Sequence, residues 1–199
     1  MRVTAWLLTF CLLLPGCLEE TATEGESPYY GEGFAADQWA PIFTVESMDG
    51  ELWSMEEQQD KVVVLAFIFT RCVDTCPITS ASLKYAQTLL NESELTNLTF
   101  VSITIDPWHD SPIVLQNWTS SHNYNWTHLT GSPEAIEPIL DAYGVDPIGY
   151  GDNSQEGYGF SHTQPTYLID AKGYLRVVWT DPNLPADFFV VDIQTVLSL

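Results

Sequence analysis

The sequence has few basic residues. Lys and Arg together number 6, against 27 Asp and Glu, which gives a formal net charge of −21. Such a chain has too little positive charge to neutralise phosphates, so we exclude nucleic-acid binding and attachment to an anionic membrane through a basic patch. Charged residues make up only 17% of the chain and hydrophobic residues 45%, with 7 Trp. This composition is not typical of disorder and predicts one globular domain.

No apolar run at the N-terminus is long enough to span a bilayer comfortably, which takes about 20 residues. Residues 3–14 are mostly apolar and follow Arg2, as is typical of an export signal. The sequence Leu14-Pro15-Gly16-Cys17 resembles a lipoprotein signal, in which cleavage before Cys17 leaves that thiol to carry a lipid. We therefore predict lipidation of Cys17. An uncleaved anchor and an unmodified cysteine are the alternatives.

Each of these cases places the body of the protein on the extracytoplasmic face of the cell membrane. Residues 19–40 contain acids, Gly, Ser, Pro and Tyr without periodicity, which favours a flexible tether. We predict a signal peptide at 1–16, a lipidated cysteine and acidic tether at 17–40, and a single domain at 41–199. All the acidic residues lie in the exported part, where they are expected to keep the domain soluble.

Cysteine is scarce, with 4 in the chain. Cys11 lies in the signal and Cys17 would carry lipid, so only Cys72 and Cys76 remain in the domain. Two cysteines four positions apart enclose too short a loop to hold distant parts of a fold together. They indicate a site rather than a disulfide framework.

Four N-glycosylation patterns cluster between residues 91 and 127. They begin at Asn91, Asn97, Asn117 and Asn125. If they are used, they mark solvent-facing loops of an exported glycoprotein. The alternative is a set of unmodified surface asparagines.

Hydrophobic periodicity predicts an α/β domain. Residues 61–69 are almost all β-branched or aromatic, which is typical of a central strand covered on both faces. Alternation and turn residues predict the other elements. These are a hairpin at 41–54, a helix at 77–90, a strand at 98–105, helices starting near 111 and at 133–143, a hairpin at 165–179 and a helix from 185. Together they predict three layers around one sheet.

The two domain cysteines lie where the central strand ends and a helix begins. Positions i and i+4 share a helix face, so Cys72 and Cys76 can direct both sulfurs at one small ion. A helix N-terminus favours the thiolate form, and Arg71 adds a positive charge beside it. Thiolates select Cu(I), zinc or iron–sulfur clusters.

A third ligand is expected among the four histidines. His109, His122 and His128 lie in polar stretches and are interpreted as surface or loop residues. His162 precedes the apolar strand at 165–170, after a Gly- and Ser-rich approach that can fold back over a site. Two thiolates and one imidazole suit trigonal Cu(I), and a further ligand would allow Cu(II). A cysteine disulfide with an unrelated His162 is the alternative.

An ordered set of motifs covers residues 41–175 and resembles the Sco/SenC family of thioredoxin-like copper proteins. The set comprises Pro41-x-Phe43, Asp49-Gly50, Phe69-Thr70-Arg71-Cys72-x-Asp74-x-Cys76-Pro77, Thr104-Ile105-Asp106-Pro107-x-x-Asp110-Ser111-Pro112 and His162 before Tyr167-Leu168-Ile169-Asp170-x-x-Gly173. Val73 stands where the family commonly has proline, and His109 where it often has arginine. Neither departure removes a ligand.

This resemblance implies a thioredoxin-like three-layer sandwich with a central mixed sheet and an N-terminal β-hairpin. It implies Cu(I) or Cu(II) held by Cys72, Cys76 and His162. The implied function is that of a membrane-anchored copper chaperone, not formally an enzyme. It would deliver copper to the binuclear copper site of a cytochrome oxidase, or prepare that site by reducing the acceptor's cysteines. The implied partner is the copper-accepting oxidase subunit or another exported copper protein.

Pro165 supports an alternative function. A proline directly before this strand resembles the cis-proline of thioredoxin-type disulfide oxidoreductases, which shapes where a substrate thiol chain docks. In that function Cys72 attacks a partner disulfide and Cys76 resolves the mixed disulfide. An ordinary trans proline at the start of a strand is the competing interpretation.

Overall fold

The computed structural model describes residues 27–73, 75–146, 164–181 and 183–199. Its strands are β1 Glu32–Trp39, β2 Thr44–Ser47, β3 Leu52–Ser54, β4 Val62–Ile68, β5 Leu98–Thr104, β6 Thr127–Thr130, β7 Thr166–Ile169 and β8 Tyr174–Trp179. Its helices are α1 Thr75–Leu89, α2 Glu92–Thr96, α3 Pro112–His122, α4 Pro133–Ala142 and α5 Ala186–Leu197. The strands form one mixed sheet in the order β1-β8-β7-β4-β5-β6-β2-β3.

Strand β4 is the centre of this sheet. It pairs in parallel with β5 and antiparallel with β7, and every one of its residues is buried. An apolar run of this kind can be accommodated only where both faces of the sheet are covered. The predicted central strand is confirmed.

Helices cover the two faces of the sheet. On one face Leu83 of α1 and Phe189 of α5 pack in the same apolar cluster as Val62, Val64 and Ala66 of β4. On the other face Leu115 of α3 and Leu140 of α4 pack in a second cluster. The predicted three-layer α/β sandwich with a central mixed sheet is therefore confirmed.

Both predicted hairpins are present. Strands β2 and β3 pair across a turn in which Gly50 has φ +79°, and β7 and β8 pair across a turn in which Gly173 has φ +91°. These left-handed conformations favour glycine because it has no Cβ. The N-terminal hairpin is joined to the sheet edge through the pairing of β2 with β6.

The folded domain begins before residue 41, so the predicted tether is too long. Strand β1 pairs with β8, with Trp39 opposite Tyr174. Ahead of it, the N–H groups of Tyr30 and Gly31 each donate to the buried carboxylate of Asp192 at 2.8 Å. A polar segment can form an edge strand because its partner supplies the hydrogen bonds. The predicted signal peptide and Cys17 lie outside the described residues.

Besides β1, short elements such as β6 and α2 were not predicted. Strand β6 has only four residues, and helix α2 has five, beginning with a capping box formed by Asn91 and Glu94. Helix α1 begins at Thr75, so Pro77 lies in its first turn. None of the helices in the described ranges is both long and apolar enough to cross a membrane.

Candidate metal centre

The candidate site lies at one edge of the sheet. Parallel strands β4 and β5 end at the same edge, and β7, antiparallel to β4, begins there. The topology therefore brings together the cysteine motif after β4, the acidic segment after β5 and Gln164 before β7. Loops at the carboxyl ends of parallel strands are the usual location of binding sites in α/β folds.

Cys72 lies three residues ahead of the first residue of α1 and caps the helix. The backbone N–H of Cys76 donates to Cys72 Sγ at 3.2 Å, and Thr75 Oγ1 lies 3.4 Å from the same sulfur. The first N–H groups of a helix have no partner within the helix, and the helix dipole favours negative charge beside them. The Cys72 sulfur, which is half-buried, is therefore placed where a thiolate or a metal-bound sulfur is stabilised.

Cys76 occupies a different environment. Its side chain is 0% exposed, and its Sγ donates to Gln164 Oε1 at 3.0 Å. Burial, followed by the hydrogen bond with Cys72, raises the pKa of the Cys76 thiol. Neither cysteine is in a disulfide. Removal of the Cys76 proton therefore needs a compensating event, such as metal binding or disulfide formation.

Gln164 is a site residue that the sequence interpretation missed. Its buried carboxamide oxygen also accepts a hydrogen bond from Thr75 Oγ1 at 2.8 Å. One oxygen thus contacts Cys76 directly and Cys72 through Thr75. The available signal was a polar residue between His162 and an apolar strand.

Asp110 fixes the end of β4 to the segment that follows β5. Its fully buried carboxylate accepts from the Thr70 N–H at 3.0 Å, from the Thr70 hydroxyl, and from Thr104 Oγ1 at 2.6 Å. Burial raises the pKa of Asp110, and the hydrogen bonds from Thr104 and Thr70 oppose that rise. The backbone just ahead of Cys72 is held in place by these bonds.

Arg71 forms an ion pair with Asp106. The Arg71 Nη2 atom lies 3.0 Å from Asp106 Oδ2, and the Asp106 carboxylate is fully buried. His109 joins the pair, with its Nδ1 2.7 Å from Asp106 Oδ1 and 2.7 Å from Arg71 Nη2. His109 is a partly exposed loop residue, as predicted. The cation predicted beside the cysteines thus compensates a buried carboxylate.

The prediction for His128 is wrong. His122 is exposed at the end of α3, but His128 lies in β6 and is 0% exposed. Rings of Trp118 and Trp126 surround it at centroid distances of 5.2 and 5.7 Å. Neither ring nitrogen of His128 has a hydrogen-bond partner among the described residues. Burial lowers its pKa to about 3, so the ring is neutral.

His162 lies outside the described residues, which break between 146 and 164. Its role as third ligand stays a prediction. The structure brings Cys72 and Cys76 together, and within the described ranges no group of three or more His, Cys, Asp and Glu is placed to hold a metal.

Pro165 does not have the geometry of the redox cis-proline. No peptide bond is cis in the described part of the chain, so the bond between Gln164 and Pro165 is trans. The Pro165 carbonyl accepts from the Phe67 N–H at 3.4 Å and thereby extends the pairing of β7 with β4. This is the ordinary role of a proline at the start of a strand.

All four predicted glycosylation asparagines are exposed. Asn91 and Asn97 flank α2, and Asn125 precedes β6. Asn117 lies within α3, so the expectation that all four mark loops is wrong for this residue. Their modification stays a prediction.

Comparison with known proteins identifies relatives along most of the chain. The SCO1 protein homolog of Bacillus subtilis (strain 168) is 32% identical over 162 residues, which are 79% of this chain and 82% of the relative. The solution structure of apo Sco1 from Thermus thermophilus has 29% identity and a TM-score of 0.71, covering 85% of this chain and 97% of that chain.

Two further structures are similar. One is BsSco, described as having a disulfide switch and as a member of the Sco family of cytochrome c oxidase assembly proteins. The two sequences are 26% identical, the TM-score is 0.67, and the match covers 82% of this chain and 95% of that chain. The other is Bradyrhizobium japonicum ScoI with copper bound, with 21% identity and a TM-score of 0.65. The match covers 80% of this chain and 100% of that chain, and at this identity it supports a shared fold only. The family model described as SCO1/SenC matches residues 33–198, and the chain belongs to this family.

Proposed function

We propose that this protein is an exported, membrane-anchored copper chaperone that delivers copper to, or prepares, the binuclear copper site of a cytochrome oxidase. Its copper ligands are Cys72, Cys76 and His162. The observation that carries the proposal is the cysteine pair, with Cys72 capping the helix in which Cys76 is buried. Soft sulfur donors held this close together select Cu(I) over hard cations.

The chemistry of the donor set fits copper. Binding replaces thiol protons by metal, so the buried Cys76 sulfur gains the compensating charge that it lacks when it ionises alone. Two thiolates and one imidazole make three ligands, which suits Cu(I). A structural zinc site almost always has four ligands.

His162 is proposed as the third ligand because of its position in the sequence. It is two residues ahead of Gln164, whose Oε1 atom lies 3.0 Å from Cys76 Sγ. Two residues of chain span at most about 7 Å, so the Cα atoms of His162 and Gln164 are no further apart than this. The hydrogen bond of Gln164 therefore supports His162 as the third ligand.

Copper transfer would begin at Cys72. This sulfur is half-buried, whereas Cys76 is closed off from solvent, and the adjacent Val73 side chain is 82% exposed. An incoming thiolate of the acceptor protein can reach copper from the Cys72 side and displace that ligand first. Oxidation of the two cysteines to a disulfide would also release the metal.

One relative supports the biological setting. BsSco is described as a member of the Sco family of cytochrome c oxidase assembly proteins. The export signal at 1–16 and lipidation at Cys17 would place the copper site outside the cytoplasm, on the side where an oxidase exposes its binuclear copper site.

Anaerobic titration of the reduced protein with Cu(I), against a chromophoric competitor, tests the proposal. We expect about one copper per chain in the wild type and loss of that site in Cys72→Ser and in Cys76→Ser. Binding of equal strength in either cysteine variant would contradict it.

A thiol–disulfide oxidoreductase is the second candidate. It is favoured by the half-buried Cys72, suited to attack, beside the buried Cys76, suited to resolve the mixed disulfide. Reduction of a partner disulfide by metal-free protein distinguishes the two functions. An oxidoreductase retains this activity in His162→Ala and loses it in Cys72→Ser.

A further inference from the structure

We propose that Gln164 is a positioning residue that holds Cys72 and Cys76 as a reduced pair. Its carboxamide oxygen accepts a hydrogen bond from the Cys76 thiol and one from the Thr75 hydroxyl, whose oxygen lies 3.4 Å from Cys72 Sγ. The inference concerns the regulation of the site described above and rests on the proposed function for its biological meaning.

The direction of each hydrogen bond follows from the number of protons. Thr75 has one hydroxyl hydrogen, and this hydrogen is donated to Gln164 Oε1 across 2.8 Å. The Thr75 oxygen, 3.4 Å from Cys72 Sγ, is then free to accept the Cys72 thiol hydrogen. Cys76 donates its own thiol hydrogen to Gln164 Oε1 across 3.0 Å. The Cys76 thiol thus bonds to Gln164 Oε1 directly, and the Cys72 thiol bonds to it through Thr75.

Only the reduced form can make these bonds. In a Cys72–Cys76 disulfide neither sulfur carries a hydrogen, so Gln164 Oε1 loses the Cys76 donor and Thr75 loses the Cys72 donor. Because Gln164 is buried, a lost donor is not replaced readily by solvent. Gln164 therefore stabilises the dithiol relative to the disulfide.

The redox step balances with an external dithiol as reductant. The S–S bond between Cys72 and Cys76 breaks, and the reductant gives up two electrons and two protons and becomes a disulfide. Each protein sulfur gains one hydrogen, and these are the hydrogens that Gln164 and Thr75 then accept.

The carboxamide also suits the copper-bound form. When copper replaces both thiol hydrogens, the Gln164 oxygen would keep the Thr75 donor but would face a sulfur lone pair at Cys76. Rotation of the Gln164 amide by a half turn presents its NH₂ group instead, which can donate to a metal-bound sulfur. A carboxylate at this position can accept a thiol hydrogen but cannot make that donation.

The test is the equilibrium of the metal-free protein with reduced and oxidised dithiothreitol, read by alkylation and mass spectrometry. In Gln164→Met we expect a shift of about three- to tenfold toward the disulfide, which is what the loss of one hydrogen bond produces. A tenfold shift lowers the midpoint potential by about 30 mV. Thr75→Val, which removes the acceptor for Cys72, is expected to shift the equilibrium in the same direction.

Two variants separate positioning from general destabilisation. Gln164→Glu retains the acceptor oxygen and is expected to stay within about twofold of wild type or shift toward the dithiol, while its Cu(I) affinity falls. Gln58→Met is the matched control, because Gln58 also accepts from a threonine hydroxyl, that of Thr99 at 3.0 Å, in a turn that follows β3. It is expected to leave the redox equilibrium unchanged.

An unchanged equilibrium in folded Gln164→Met, or an equal shift in Gln58→Met, would overturn the inference. If Gln164→Met does not fold, an unchanged equilibrium in Thr75→Val overturns it. Because the measurement needs no copper, a redox shift without copper binding would refute the proposed function alone. Copper binding without a redox shift would refute only the role of Gln164.

Discussion

The backbone N–H of Cys76 donates to the sulfur of Cys72 across 3.2 Å, so the first cysteine caps the helix that carries the second. This contact gives the two sulfurs different surroundings. Cys72 is half-buried at the helix N-terminus, and Cys76 is fully buried with its thiol directed at Gln164. The pair can therefore bind a soft metal with one ligand accessible to a partner and one protected from it.

Alkylation of the metal-free protein should distinguish the two thiols. We expect iodoacetamide to modify Cys72 about tenfold faster than Cys76 or more, because the thiolate is the reactive form and burial raises the pKa of Cys76. Peptide mapping by mass spectrometry at neutral pH measures both rates. Equal rates in the folded protein would contradict the assignment of Cys76 as the protected ligand.

Replacement of His162 should weaken copper binding without affecting the fold. In His162→Ala we expect the Cu(I) dissociation constant to rise about tenfold or more. Mutation of residues that only orient the ligands of a metal already lowers metal affinity by about this factor. His122→Ala is the matched control, because His122 is exposed at the end of α3. An unchanged dissociation constant in His162→Ala would exclude this residue as a ligand.

The ion pair of Arg71 with Asp106 should contribute to stability near the site. Arg71→Met leaves a fully buried carboxylate with reduced compensation, so we expect the free energy of unfolding to fall by about 1–3 kcal/mol. Adding Asp106→Asn should restore part of this loss, since it removes the unpaired charge. Urea unfolding of the two single variants and the double variant measures the coupling. Additive losses would show that the pair does not interact energetically.

His128 should make the protein less stable in mild acid. Its pKa is lowered to about 3 in the folded state from an ordinary value of 6.5, so below pH 6.5 the unfolded chain binds a proton that the folded protein does not. The stability that the neutral ring retains above pH 6.5 is thus lost as the pH falls, by about 1.4 kcal/mol per unit, until the folded pKa is reached.

The variant His128→Phe lacks the imidazole ring that binds this proton in the unfolded chain. We expect its loss of stability between pH 7 and pH 5 to be smaller than that of wild type by about 2 kcal/mol. Urea unfolding at the two pH values measures the difference, and His122→Phe, an exposed position, should retain the wild-type dependence. An identical pH dependence in His128→Phe would contradict the buried neutral ring.

Sequence patterns predicted the elements that depend on residues adjacent in the chain. The apolar run of β4 and the glycine turns at Gly50 and Gly173 are visible in adjacent residues. Strands β1 and β6 were missed because distant partners stabilise them, as in the pairing of Trp39 with Tyr174. A polar edge strand has no periodicity of its own to detect.

The same distinction applies to the site. Cys72 and Cys76 were predictable because four positions separate them along the chain. The contact of Gln164 with Cys76 joins residues 88 positions apart, and the contact of Thr70 with Asp110 joins residues 40 positions apart. His128 was misjudged because it follows the polar stretch around Asn125, whereas its burial depends on Trp118 of α3.

The absorption spectrum of the Cu(II)-loaded protein tests the central claim most directly. If Cys72 and Cys76 bind copper, the wild type should show a sulfur-to-copper charge-transfer band, and both Cys72→Ser and Cys76→Ser should lack it. The control His122→Ala should retain the band. A band that persists unchanged in either cysteine variant, or stoichiometric copper binding by the wild type without any such band, would contradict the account.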